Sequence, residues 1–153
     1  MSWILYDWKH SFDFKGRATR REFWRFTLTL SLIGLLAAAC RGTGLFGALL
    51  FTAYLLADLV LLPARVTLTM RRLHDTGHSG KWLLAPFGLM LIFALLTVAA
   101  SMARGGVPAW VALLIASAAL GYLIVGVMLL VFTLTQSDSG DNGYGSPSAN
   151  PMA

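Results

Sequence analysis

The sequence predicts an all-α membrane protein in which four transmembrane helices form two hairpins, and three observations carry that prediction. Of 153 residues, 57% are hydrophobic and only 12% charged, whereas an ordinary soluble domain has roughly a quarter of its residues charged. Four apolar runs close to membrane-spanning length occupy most of the chain. The basic residues gather on one side of those runs. With a mean hydropathy of +0.69, a water-soluble fold of this size has no way to hide its apolar surface, and no room is left for a soluble catalytic domain.

The first 22 residues form a polar and aromatic N-terminal segment. Trp3, Ile4, Tyr6, Trp8, Phe12 and Phe14 alternate with polar residues there, as in a segment lying in the membrane interface, and a plain aromatic belt explains them equally well. Charges from Asp7 to Glu22 interrupt the region, so it does not resemble a cleavable signal peptide and the first apolar run is expected to stay in the mature protein.

A spanning helix needs about 20 largely apolar residues, and Phe23 to Cys40, Leu45 to Leu62, Trp82 to Met102 and Trp110 to Thr135 qualify. Together they define a transmembrane domain over residues 23–135. Thr19-Arg20-Arg21-Glu22 matches a capping box that starts the first helix, and Arg25 sits where its long side chain can snorkel. Glycine-rich breaks at residues 41–44 and 103–109 turn each pair of helices into a hairpin. Residues 136–153, rich in Ser, Gly, Asn and Pro, cannot bury a core and are expected to form a disordered polar tail.

Ten of the twelve Lys and Arg residues precede or open the first helix or lie in the middle connection, leaving only Arg41 and Arg104 on the other side. The positive-inside rule then places both termini and the middle connection in the cytoplasm. For a membrane protein with a net charge of +5, the fitting partners are anionic headgroups, a second copy or another membrane protein, and not nucleic acid.

The middle connection, residues 63–82, gathers most of the polar chemistry. If the second helix continues past Pro63 with a kink, Asp58, Arg65, Thr69 and Arg72 share one face. A carboxylate in a spanning segment is costly and is a site candidate by default. Its ordinary explanation is an ion pair with Arg65 or with a basic residue of another helix. His74 and His78 are four residues apart with Asp75 between them, a spacing that could suit a metal on one helix face. Gly77, Gly80 and the lack of a third ligand favour a turn instead, with Asp75 and Thr76 bonding local backbone and Ser79 capping the third helix. Neither a metal nor a cofactor is expected. Cys40 is the single cysteine, which leaves no disulfide framework. Phosphate-loop, nucleophile-elbow and zinc-protease motifs are absent, so an enzyme using His74 and Asp75 as an acid–base pair is the weakest functional reading.

Three patches then resemble a known family: Phe14-Lys15-Gly16-Arg17-Ala18-Thr19-Arg20-Arg21-Glu22-Phe23-Trp24; Arg71-Arg72-Leu73-His74-Asp75-Thr76-Gly77 with Ser79-Gly80-Lys81-Trp82; and Gly140-Asp141-Asn142-Gly143-Tyr144-Gly145. In order and spacing the chain is similar to domain of unknown function 805, a family of small bacterial inner-membrane proteins. Where that family's tail tends to read Asn-Arg-Tyr-Gly-Pro, this chain has Gly143 and Ser146. The resemblance implies a multi-pass protein of the bacterial cytoplasmic membrane and brings no activity with it.

The leading functional expectation is a non-enzymatic membrane component. Its cytoplasmic face, built from Arg17, Arg20, Arg21, Glu22, Arg71, Arg72, His74 and Asp75, would bind lipid headgroups or a partner. The rival is a subunit of a small oligomeric transporter or channel with Asp58 and Arg65 in its pathway. Because the first two helices form a hairpin, the start of one must come near the end of the other. That proximity predicts a clamp in which Glu22 meets Arg71 or Arg72 while Asp75 meets Arg17, Arg20 or Arg21.

Overall fold

A computed structural model describes residues 6, 8–102, 106 and 108–146. Trp3 and Ile4 of the N-terminal segment, Arg104 of the second hairpin and residues 147–153 of the tail lie outside them. The described chain forms four long helices, α1 (Arg20–Cys40), α2 (Leu45–Asp75), α3 (Leu84–Ser101) and α4 (Ala109–Leu134), with a short 3₁₀ turn at Gly80–Leu83 leading into α3. All four are long and apolar enough to cross a membrane.

Helix α1 starts three residues before the apolar run because Thr19 caps it, its Oγ1 accepting from the Glu22 amide at 3.2 Å. The carboxylate in that first turn also suits the positive end of the helix dipole. At the other end, Cys40 O accepts from both the amide (3.0 Å) and the hydroxyl (2.7 Å) of Thr43. Gly44, at φ 88°, then turns the chain into α2. Gly47 is needed for this closeness, since a Cβ there would lie 1.8 Å from Cys40 O.

Helix α2 takes the continuation past Pro63 that the sequence left open for the second helix. It does not stop at Leu62 but runs through Pro63 to Asp75, 31 residues in all. At 1.5 Å per residue it is roughly 46 Å long, about 16 Å more than the hydrocarbon it must cross. Its last turns therefore project beyond the apolar layer, which is why a segment so rich in Arg can remain helical. Gly77, at φ 73°, ends it: the His78 amide donates to Leu73 O at 2.8 Å and the Gly77 amide to His74 O at 3.1 Å, the paired bonds of a Schellman cap. Ser79 then accepts from the Lys81 amide at 3.3 Å and starts the turn into α3.

Helices α1 and α2 pack as one hairpin, α3 and α4 as the other, and α4 also meets α1 and α2. The main apolar cluster, Ala18, Phe23, Phe26, Leu30, Ala64 and Leu68, lies where the projecting part of α2 meets the start of α1. By contrast, at most 17% of the apolar window of any helix is buried inside the chain. The four helices thus leave most of their hydrophobic surface to the bilayer, while the folded core sits at one end.

Candidate functional site

At that end the N-terminal segment, the projecting turns of α2 and the first residues after α4 converge on Asp75. Its side chain is 2% exposed, and those of the two arginines that hold it, Arg17 and Arg72, are fully buried. Arg17 Nε donates to Oδ1 at 2.9 Å. Arg72, one turn earlier on the same helix face, donates from Nη1 to Oδ2.

Backbone pairing explains how Arg17 arrives there. The Ala18 amide donates to Arg71 O at 3.0 Å and Arg71 Nη2 donates back to Arg17 O at 3.3 Å, pinning the chain just ahead of α1 along α2. Further upstream, Thr67 Oγ1 donates to Ser11 O, and the Ser11 hydroxyl donates to Trp8 O at 2.6 Å.

The remaining guanidinium donors go mostly to peptide carbonyls beyond α4. Arg17 Nη1 donates to Gly140 O at 2.6 Å and Gly145 O at 3.3 Å, and Nη2 donates to Asp138 O. Arg72 Nε donates to Thr133 O at 3.1 Å, Nη1 to Ser137 Oγ at 3.1 Å, and Nη2 to Thr135 O. Thr133 O also accepts from Trp24 Nε1, and Leu134 O accepts from Arg20 Nη1, each at 3.3 Å. Arginines therefore serve the last carbonyls of α4, which have no partner within the helix and carry its negative dipole end.

Residues 136–146, expected from composition to form part of a disordered tail, instead lie across this end as a strap. Asn142 Nδ2 donates to His74 O at 2.9 Å and to Asp138 Oδ2 at 3.0 Å. Tyr144 stacks on His74 with ring centroids 4.1 Å apart and planes within 3°. The Asp138 amide donates to Asp75 O at 3.1 Å. Composition misses the strap because its acceptors are main-chain carbonyls, present in every sequence. Only the Asp141-Asn142-Gly143-Tyr144-Gly145 patch marks it.

The expected binding residues thus divide into two sets. Arg17, Glu22, Arg71, Arg72 and Asp75 are buried, His74 is half-buried beneath Tyr144, and Arg20 and Arg21 stay exposed. Asp75 meets Arg17, one of the three arginines expected for it, and Glu22 is wholly buried at the same end. The two imidazoles have separate surroundings. His74 Nδ1 is 3.3 Å from Gly16 O, whereas His78 Nδ1 is 3.1 Å from Thr76 Oγ1 and its ring stacks on Phe132. Among the described residues no three His, Cys, Asp or Glu side chains form a group able to hold a metal.

Asp58 finds its cation in its own helix, seven residues on: Arg65 Nη1 lies 2.8 Å from Oδ1 and donates to Oδ2 at 3.0 Å. Beside Asp58, between α1 and α2, runs a mostly apolar groove of about 580 Å³ whose lining includes Ile33, Ala37, Cys40, Ala53 and Tyr54.

Residues 11–146 match the family described as a protein of unknown function, DUF805. The chain belongs to this family. The DUF805 match begins at Ser11 and ends at Ser146, so it takes in the pinned N-terminal segment and the strap as well as the four helices. Among curated proteins, the chain is 34% identical to the inner membrane protein YhaI of Escherichia coli strain K12 over 147 residues, covering 95% of this chain and 94% of that relative. It is 36% identical to the inner membrane protein YhaH of the same organism over 91 residues, 55% of this chain and 71% of the relative. No solved structure matches it. With relatives named for the inner membrane and four helices of spanning length, this DUF805 member is a multi-pass inner-membrane protein.

Proposed function

We propose that the protein is a non-enzymatic membrane component that uses its folded end, on the cytoplasmic side together with both termini, to engage anionic lipid headgroups. The observation carrying this reading is the division of basic residues at that end. Arg17 and Arg72 are spent on Asp75 and on carbonyls, while Lys9, Lys15, Arg20, Arg21 and Lys81 remain exposed around them. A rim of this kind attracts an anionic leaflet by about 1 kcal/mol per basic residue near the surface, and the buried network keeps it at a fixed height. The oligomeric transporter reading has less support, because Asp58 is already neutralised by Arg65.

The test replaces Lys15, Arg20, Arg21 and Lys81 together by Gln and compares vesicles of phosphatidylcholine with and without phosphatidylglycerol. The expected result is a large fall in retained phosphatidylglycerol relative to phosphatidylcholine, and a weaker dependence on salt. An unchanged lipid preference would overturn the proposal.

A further inference from the structure

The strap presents neutral carbonyls to guanidiniums that would be better matched by an anion. Arg17 and Arg72 converge from two segments on a single carboxylate; of their other donors, some stay with the Asp75, Ala18 and Thr133 carbonyls outside the strap, and the rest reach the Thr135, Asp138, Gly140 and Gly145 carbonyls and the Ser137 hydroxyl within residues 135–145. Guanidinium forks fit phosphate oxygens, and bonds to a charged acceptor are roughly twice as strong as those to a neutral one.

The charge balance points the same way. The buried charged side chains here are Arg17, Arg71 and Arg72 against Glu22 and Asp75, an excess of one cation. Arg71, itself nine-tenths buried, gives one N–H to Arg17 O, and its Nε has no acceptor among the described residues. The only charged residues from Gln136 to the end of the sequence are Asp138 and Asp141. An acidic strap therefore lies on a cationic floor. Asp138, Gly140 and Gly145 are exposed, and the side chains of Asn142 and Tyr144 anchor the strap to His74.

We propose that Arg17 and Arg72 form a latent site for a phosphate-bearing group, for which residues 135–145 are an internal competitor. The proposal rests on the reading of this end as headgroup-facing, and gives the rim a second, deeper site. A phosphate that displaces the strap takes over its guanidinium donors, and the apparent affinity is lowered by the fraction of time the strap is closed. If the strap is open about one-tenth of the time, removing it tightens binding about tenfold.

The experiment measures short-chain phosphatidylglycerol and, separately, inorganic phosphate retained by the detergent-purified protein in native mass spectrometry. The full chain is compared with a chain ending at Thr135 and with an Asn142→Ala/Tyr144→Ala variant that loosens the strap without removing it. Both changes should tighten binding, shortening more than loosening, and adding Arg17→Gln should erase the gain. A gain seen with the lipid alone assigns the site to a headgroup, and a gain with inorganic phosphate alone assigns it to free phosphate. Either supports the chemistry.

Equal or weaker binding after loosening overturns the proposal. That variant decides alone if the shortened chain fails to fold. The fourfold rim substitution separates the two readings: if it has no effect while loosening still tightens binding, the rim fails and the latent site stands. If it lowers binding and loosening does nothing, the latent site fails and the rim stands. As an independent readout, a spin label on Ser146→Cys in a Cys40→Ser background should become more mobile on adding phosphatidylglycerol vesicles. Unchanged mobility counts against displacement.

Discussion

The end of the molecule around Asp75 and the body of its four helices are built on opposite principles. At the Asp75 end the Asp75 carboxylate and the guanidiniums of Arg17 and Arg72 are buried and hydrogen-bonded, and segments distant in sequence meet within a few ångströms. Along the body, α3 contributes no buried residue and α4 contributes only Val111 and Ala118 before its last turn. In hydrocarbon an exposed Leu costs nothing, because lipid tails are as apolar as a protein core, so helices there need only satisfy their own backbones. The difference teaches that specificity of fold and membrane solubility are divided between regions: the end fixes how the hairpins are joined, and the body fixes only that they span.

The comparison predicts the largest loss at Asp75. Asp75→Ala leaves Arg17 and Arg72 buried without their shared carboxylate, and breaking a buried ion pair typically costs about 3–5 kcal/mol. The expected outcome is a sharp drop in folded protein recovered from membranes and in thermal midpoint in detergent. Leu95→Ala, at a lipid-exposed position of α3, should change either by no more than surface substitutions do, within about 0.5 kcal/mol. Equal losses for the two would break the division.

This division also decides what was legible in the sequence. The four spans were, because continuous apolar composition needs no tertiary information, and so was the Thr19 cap, whose spacing to Glu22 is local. The continuation of α2 past Pro63 was harder. The apolar run stops at Leu62, the seven-residue spacing of Asp58, Arg65 and Arg72 left a continuation open, and burial against Ala18 and Phe26 favours it. Of the candidate site, the meeting of Asp75 with Arg17 followed from hairpin geometry. The burial of Arg17 and Arg72 did not, since their contacts with the strap are mostly to main-chain carbonyls, and only the patch from Asp141 to Gly145 marks the strap in the sequence.

One position in the body should behave more like the end. Gly47 packs against Cys40 O in the first hairpin turn, and a side chain has no space there, because the obstacle is backbone and cannot rotate away. Gly47→Val is expected to open the turn and to destabilise the α1–α2 hairpin by about 1–3 kcal/mol, the usual range for overpacking. Proteolysis of the 41–44 turn in inverted and right-side-out vesicles reads this directly: cleavage should accelerate in the variant from the side opposite Asp75. Wild-type rates would place the rigid part of the molecule at the Asp75 end alone.

The smallest effect is expected where a charge pair stands in the body itself. Asp58 and Arg65 are about one-quarter and one-third exposed in their side chains, unlike the sealed Asp75 network, and among the described residues no other segment bonds to the Asp58 carboxylate in the way the strap bonds to Arg17. Asp58→Asn keeps an oxygen that Arg65 can reach, and it leaves Arg65 near the level where a long cationic side chain snorkels to the headgroups. The loss should then stay within about 1 kcal/mol, the range of a partly hydrated pair, or a few degrees in thermal midpoint at most. Ion flux through reconstituted vesicles should also be unchanged. A stability loss matching that of Asp75→Ala would mean that the α1–α2 groove around Asp58 is a second fixed point of the fold. A loss of flux without a loss of stability would restore the transporter reading, with Asp58 in its path.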